Sequence, residues 1–399
     1  MLPRVKIDFA NGALGSVSPS ADCVVGLVCA AQAVSGKLTL QKPYILYRLD
    51  GLAELGVTEA VNDPNALLYK TVKEFYDQAG DGAELWIYGV EATATQKTAV
   101  EASKEFIKKA NGRLRCLAIA VKAKAQKAIT ISKGLDSDVM PAVAAAQTVA
   151  EWATESLFAP LFVVLEACGY SNDTIVDLAD LTECNYNRVG LLVGDTVSAS
   201  YGAAIGVLAG RIAACSVQRH IGRVKDGALN ILTAYIGDKE ASLADTETLN
   251  NKGYITLRTF TGKSGYFFSD DSLATAVADD YRSIARRRTI DKAYRIVYAT
   301  MLEHVNDEIP VTDDGELVPA MCKDWESEVI AAVANQMTAN GELGTDPTDD
   351  SDRGVKCHID YAQNVLATSK IAMTVQVKPY GYSKYIDVQL GFITTNEEE

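Results

Sequence analysis

A chain of 399 residues is long enough for two domains, each with its own core. Apolar residues make up 48% of it, which excludes a disordered or fibrous protein. The formal charge of −14 repels nucleic-acid phosphates and anionic membrane surfaces, so neither nucleic acid nor membrane insertion is expected.

Met1-Leu-Pro-Arg-Val-Lys6 has no apolar run after its charges, so no export leader is expected. Val5, Ile7 and Phe9 then alternate with polar residues ahead of a Gly/Ser/Pro-rich stretch. Residues 1–22 read as an extended arm or as an edge strand with a loop. Residues 23–250 alternate short apolar runs with helical periods. Val24–Cys29, Leu85–Tyr88, Cys116–Val121, Leu161–Leu165 and Val189–Val193 suit buried strands. Asn65–Gln78, Thr98–Lys109 and Met140–Leu157 suit helices between them. That alternation predicts a layered α/β domain, its helices covering a largely parallel sheet. Gly202, Gly206 and Gly210 recur at four-residue steps inside the apolar stretch Ala199–Cys215. They are expected on one face of a tightly packed core helix, a stretch too short and too small-sided for a membrane span. Val224–Glu247 lacks periodicity and is expected to link the two halves.

Residues 251–383 predict a mixed α+β domain. Gly253–Phe260 and Tyr266–Phe268 form a hairpin pattern about Gly262-Lys-Ser-Gly265. Ile290, Tyr294, Val297, Met301 and Val305 follow at helical steps, and Trp325–Met337 repeats that spacing through Val329, Ile330 and Val333. Two alternating strands close the segment: one through Ile371, Met373, Val375 and Val377, and one from Tyr385 to Phe392. Residues 384–399 are read as a terminal strand or arm with an acidic tail.

Motifs for chemistry are weak throughout. Thr261-Gly-Lys-Ser264 ends like a phosphate-binding loop, but its first glycine would fall at Leu257 and a hairpin is predicted there. Ser264 also misses the nucleophile-elbow spacing by one residue. The three histidines, His220, His304 and His358, stand alone in sequence, with no ligand spacing to a second metal-binding residue. Asp346–Asp352 lacks the rhythm of a calcium loop and reads as a solvated surface loop. The eight cysteines form no Cys-x-x-Cys pair and are expected as reduced, core-packed thiols. No catalytic residue, metal or cofactor is assigned. An α/β enzyme or small-anion-binding protein with a cleft near Gly194–Ser200 or Gly262–Ser264 stays open as an alternative. So does a scaffold protein that does not polymerise.

Two charged features are candidates for contacts with other subunits. Arg286, Arg287 and Arg288 form either a solvated element end or a set reaching carboxylates on a neighbour. Lys323, Asp324, Glu326 and Glu328 open a charged, Trp-containing helix.

The order of these parts resembles contractile tail sheath proteins of phages and related injection machines. The resemblance rests on a strand hairpin, the basic segment Tyr281-Arg-Ser-Ile-Ala-Arg-Arg-Arg288, a long helix, the helix at Trp325, an acidic loop and two final strands. A second passage agrees: Pro64-Asn65, a helix through Phe75-Tyr76, then Gly82-Ala-Glu-Leu-Trp-Ile-Tyr-Gly89. The resemblance implies a structural subunit, not an enzyme, assembled in the bacterial cytoplasm and carried on a virion tail or injection particle. It implies self-association as six-fold rings stacked helically around an inner tube protein, with baseplate and tail terminator components as further partners. Terminal arms would add strands to neighbouring subunits, through Val5, Ile7 and Phe9 at one end and Tyr385, Ile386, Val388, Leu390 and Phe392 at the other. The charged helix would face the tube.

Overall fold

The computed structural model describes residues 22–59, 64–121 and 130–392. Val5, Ile7 and Phe9 lie outside the described residues.

The fold is built on one eight-stranded sheet. Its strands are β1 (Val25–Ala31), β2 (Pro43–Leu46), β3 (Leu85–Glu91), β4 (Cys116–Ala120), β5 (Phe162–Glu166), β6 (Val189–Val193), β7 (Ile255–Phe260) and β8 (Lys263–Phe268). They lie in the order β8-β7-β6-β5-β4-β1-β3-β2. The six inner strands are parallel; β2 and β8 run antiparallel at the two edges. β4, β5 and β6 are buried at every position because both sheet faces are covered, so they read as continuous apolar runs. Helix α1 (Ala66–Ala79) packs with α4 (Ile205–Ala214), and α2 (Gln96–Lys109) packs with α3 (Val139–Leu157). Gly26 of β1 turns toward Phe106 of α2; a β-carbon there would lie 2.9 Å from that ring.

Two expectations about this half are corrected. The hairpin β7–β8, read from sequence as the start of the second domain, is an edge of the large sheet: Ile255 pairs with Leu192 and Thr256 with Val193. Val224–Glu247 is not a linker. It folds back onto the sheet through Leu229 against Tyr266 and Tyr235 against Asp195. Both regions meet strands far away in sequence, and local periodicity carries no trace of such pairing.

The remainder packs as a smaller unit: α5 (Ile284–Leu302), α6 (Pro319–Val333) and the two-stranded sheet of β9 (Val355–Ile359) and β10 (Met373–Val377). Pro319 opens α6, where its missing N–H costs nothing. Ala293, Ile296, Val333, Met337, Leu343 and Val355 form one small core; Leu317, Cys322 and Ile359 form another. The fully buried face of α5 is not the apolar row read from sequence. Arg287, Arg288, Asp291 and Lys292 are buried, whereas Ile290, Tyr294, Val297 and Met301 are half-buried and Val305 is exposed beyond the helix end. Among the described residues no helix is long and apolar enough to cross a membrane.

Candidate assembly site

The charged face of α5 is buried because every charge on it finds a partner inside the chain. Asp291 accepts from Arg188 at 2.9 Å and lies 3.5 Å from Arg287, whose guanidinium stacks on the Tyr281 ring. Arg288 donates to the carbonyls of Cys215 and Ser216 at 2.8 and 3.3 Å. Lys292 bridges Asp22 and Glu342 at 2.7 Å each, and Arg295 also donates to Asp22. Burial pushes Asp22 toward its neutral form, but Lys292 and Arg295 outweigh it and hold the carboxyl below its usual range.

Two of the three arginines expected to reach a neighbour are core residues of their own subunit. Arg287 and Arg288 are spent inside the subunit, each with only a few per cent of its surface exposed. Arg286 is half-buried. Three consecutive arginines on a helix point in different directions, so one short run supplies two core clamps and one residue near the surface.

The amino end of α5 is capped from the loop after β8. Ser283 Oγ accepts from Arg286 N, and the Asp271 carboxylate accepts from Ala285 N at 3.1 Å. A carboxylate at a helix amino terminus meets unpaired N–H groups and the positive end of the dipole. His220 joins the same place, its Nε2 at 2.9 Å from Asp270 and 3.1 Å from Asp271. Lys384, from the C-terminal run, donates to both oxygens of Asp270 at 2.6 and 2.8 Å.

On α6, Lys323, Asp324 and Glu328 are exposed. Glu326 is not: it accepts from the amide of Ile359 in β9 at 2.8 Å and from Lys323 at 2.5 Å. Glu328 meets His304 at 2.8 Å, whose ring lies 4.5 Å from that of Trp325. Beyond Lys384 the chain has no regular secondary structure and pairs with no strand among the described residues, so the strand expected at Tyr385–Phe392 is absent here. Ile386, Val388, Leu390 and Phe392 are between 75 and 99% exposed, too much for a strand edge resting on its own domain.

The sequence matches the DUF2586 N-terminal domain over residues 2–272 and the DUF2586 C-terminal domain over residues 280–397. The chain belongs to the DUF2586 family. No curated protein matches it significantly. Solved structures do resemble it. The helical sheath of the anti-feeding prophage in its contracted state is 15% identical, with a TM-score of 0.62 over 98% of this chain and 99% of that one. The sheath complex of the extracellular contractile injection system PVC, also contracted, is 14% identical, with a TM-score of 0.60 over 98 and 97%. The sheath tail protein of Desulfitobacterium hafniense is 9% identical, with a TM-score of 0.53 over 90 and 94%. This DUF2586 chain therefore has the fold of contractile sheath proteins.

The boundary between the two family domains, near 272–280, falls within the loop after β8, between the capping residues Asp271 and Ser283. The Arg188–Asp291, Asp22–Lys292 and Lys384–Asp270 pairs all cross it.

The clefts considered from sequence take a definite form in the DUF2586 fold. Gly262 sits in the hairpin turn between β7 and β8, at φ +80°, and Lys263 and Ser264 open β8. At the carboxyl ends of β5 and β6, Tyr170, Asp195, Ser200, Tyr235 and Gly237 surround a cavity of about 10 Å³, the space of one water. Beside it Lys70 pairs with Glu74 and Asp195 at 2.7 Å each. Buried Glu166 accepts from the amides of Val121 and Ala203 at 2.7 and 3.0 Å. These charges hold strand ends and the start of α4 together. All eight cysteines are free thiols, five of them buried.

Proposed function

We propose that this chain is the structural subunit of a contractile sheath. It polymerises as stacked six-fold rings around an inner tube and contracts to drive the tube outward. One observation carries the reading: Ile386, Val388, Leu390 and Phe392 form an alternating apolar row that the subunit leaves exposed and unpaired. Apolar residues at every second position form one face of a strand, and their backbone groups need a ladder. A neighbouring copy supplies both by taking residues 385–392 as an added strand. The fold of contractile sheaths over nearly the whole chain supports the same reading.

Contraction requires two packings of the same subunits that differ in interface free energy, joined by linkages that survive the change. Strand exchange at both termini would provide those linkages. Lys323, Asp324 and Glu328 are the exposed charges of α6 that would meet the tube, and baseplate and terminator proteins would cap the ends. The reaction-free mechanism asks for no catalytic centre and no cofactor.

The test is electron microscopy of the full-length protein with and without residues 385–399. Striated tubes or stacked rings are expected from the full chain, and a folded subunit without tubes from the truncated one. Equal assembly of both would remove the arm from the mechanism; a full chain that stays monomeric at high concentration, alone and with inner-tube protein, would overturn the sheath reading itself.

A further inference from the structure

The C-terminal run changes from anchored to free within a few residues. Lys378 still bonds with Gly354 and Gly344 beyond the end of β10. Tyr382 donates its hydroxyl to the Gln218 carbonyl at 2.6 Å and tilts its ring against His220. Lys384 then closes on Asp270, with Asp271 at 4.0 Å. From Tyr385, 82% exposed, to Phe392 no hydrogen bond or ion pair holds the chain among the described residues.

The receiving element serves the other terminus as well. Segment 215–220 is gripped by Arg288 through the carbonyls of Cys215 and Ser216. Cys23 donates its thiol to that Cys215 carbonyl at 3.6 Å and lies 3.7 Å from Arg288. Asp22, next to it, is fixed by Lys292 and Arg295. The entry at Asp22–Cys23 and the exit at Tyr382–Lys384 thus rest on one bracket made of segment 215–220 and α5.

We propose that Tyr382–Lys384 is the fixed root of the C-terminal arm, locked by Lys384 on Asp270, and that the shared bracket ties this root rigidly to that of the N-terminal arm. What the arms do rests on the sheath reading; the root itself does not. Charge-assisted bonds to nearly buried carboxylates are short and directional, so they carry load where a flexible chain would stretch. A pull on residues 385–392 would reach Asp22 through Lys384, Asp270, the 215–220 segment and Arg288, rather than being lost in slack. Neighbours joined through such roots would turn together when the lattice contracts.

Native-state chymotrypsin digestion of the full-length protein tests the root, using Tyr385 as an exposed site and Tyr382 as a protected one. The wild type should be cut after Tyr385 and resist cutting after Tyr382. In Lys384→Gln, cleavage after Tyr382 should accelerate about tenfold as the root opens locally, while Lys384→Arg should keep the protection. Unchanged cleavage after Tyr382 in Lys384→Gln would overturn the root. Hydrogen exchange on the same proteins tests the bracket. Faster exchange at residues 215–222 and 22–24 in Lys384→Gln is expected, and exchange equal to wild type there would overturn the coupling. Both measurements use unassembled protein, so a failure to form tubes would count against the sheath reading and leave these results to judge the root alone.

Discussion

Arg188, just before β6, donates to Asp291 of α5 at 2.9 Å, with both side chains at least nine-tenths buried. Arg188 also donates to the Leu161 carbonyl, so one guanidinium ties the end of a sheet strand to the first helix of the smaller unit. Removing one partner leaves the other charged in a dry site. Arg188→Met should cost about 3–5 kcal/mol, and adding Asp291→Leu should recover only part of that, because Arg287 then loses its own partner. Urea unfolding of the two variants checks this. A double variant no better than the single one would mean that the pair is not where the cost arises.

Glycine spacing in α4 leads to a second expectation. A β-carbon at Gly206 would lie 2.3 Å from the Thr71 carbonyl, and one at Gly210 would lie 2.4 Å from that of Phe75. Alanine is the better helix former, yet here it must push α1 away. Gly206→Ala and Gly210→Ala should each destabilise by about 1–3 kcal/mol. Thermal unfolding that shows either variant more stable than wild type would put helix propensity ahead of packing at this contact.

Glu166 predicts a pH dependence. Burial is the main cause that pushes its carboxyl up to about 7, assisted by the Asp195 charge and opposed by the amides of Ala203 and Val121 and by Lys70. The folded chain therefore keeps a proton that the unfolded chain has lost. Stability from this group should fall as pH rises from about 4.5 toward about 7. Glu166→Gln should lack that component, at the cost of leaving one backbone amide without an acceptor, about 1–3 kcal/mol. Denaturant unfolding of both proteins from pH 5 to pH 8 measures the difference. Parallel curves would rule Glu166 out as its source.

The α6 charges should separate into two groups. Glu326→Ala removes the acceptor of the Ile359 amide and should lower the unfolding midpoint. Lys323→Ser, Asp324→Ser and Glu328→Gln lie on the exposed side and should leave that midpoint unchanged. If the helix faces the tube, their effect appears in the salt dependence of assembly on it. Salt-insensitive assembly in all three would assign this face elsewhere.

The helix and strand pattern of the first half was legible in the sequence because burial on both sheet faces writes itself as uninterrupted apolar runs. Val189–Val193 is read to the residue, and the predicted helix Met140–Leu157 is observed as Val139–Leu157. Gly206 and Gly210 were legible as a close helix contact. Gly202 was not part of it: it lies ahead of α4, where a β-carbon would sit 2.5 Å from Glu166. Periodicity also failed on α5, where a basic face reads as solvated although Arg287 and Arg288 are core residues. Their burial depends on Asp291 and on the Cys215 carbonyl, and the second of these is supplied by a distant segment. His220 looks isolated in sequence because its carboxylates lie 50 residues away, and Lys384 is a further 114 residues from Asp270. Sequence by itself determined the inner strands of the large sheet and the helices between them, and that the final run alternates, because those properties follow from neighbouring side chains. Tertiary structure alone decided which charges are buried, where the hairpin docks and where the arm becomes free, because each requires groups that only folding brings within reach.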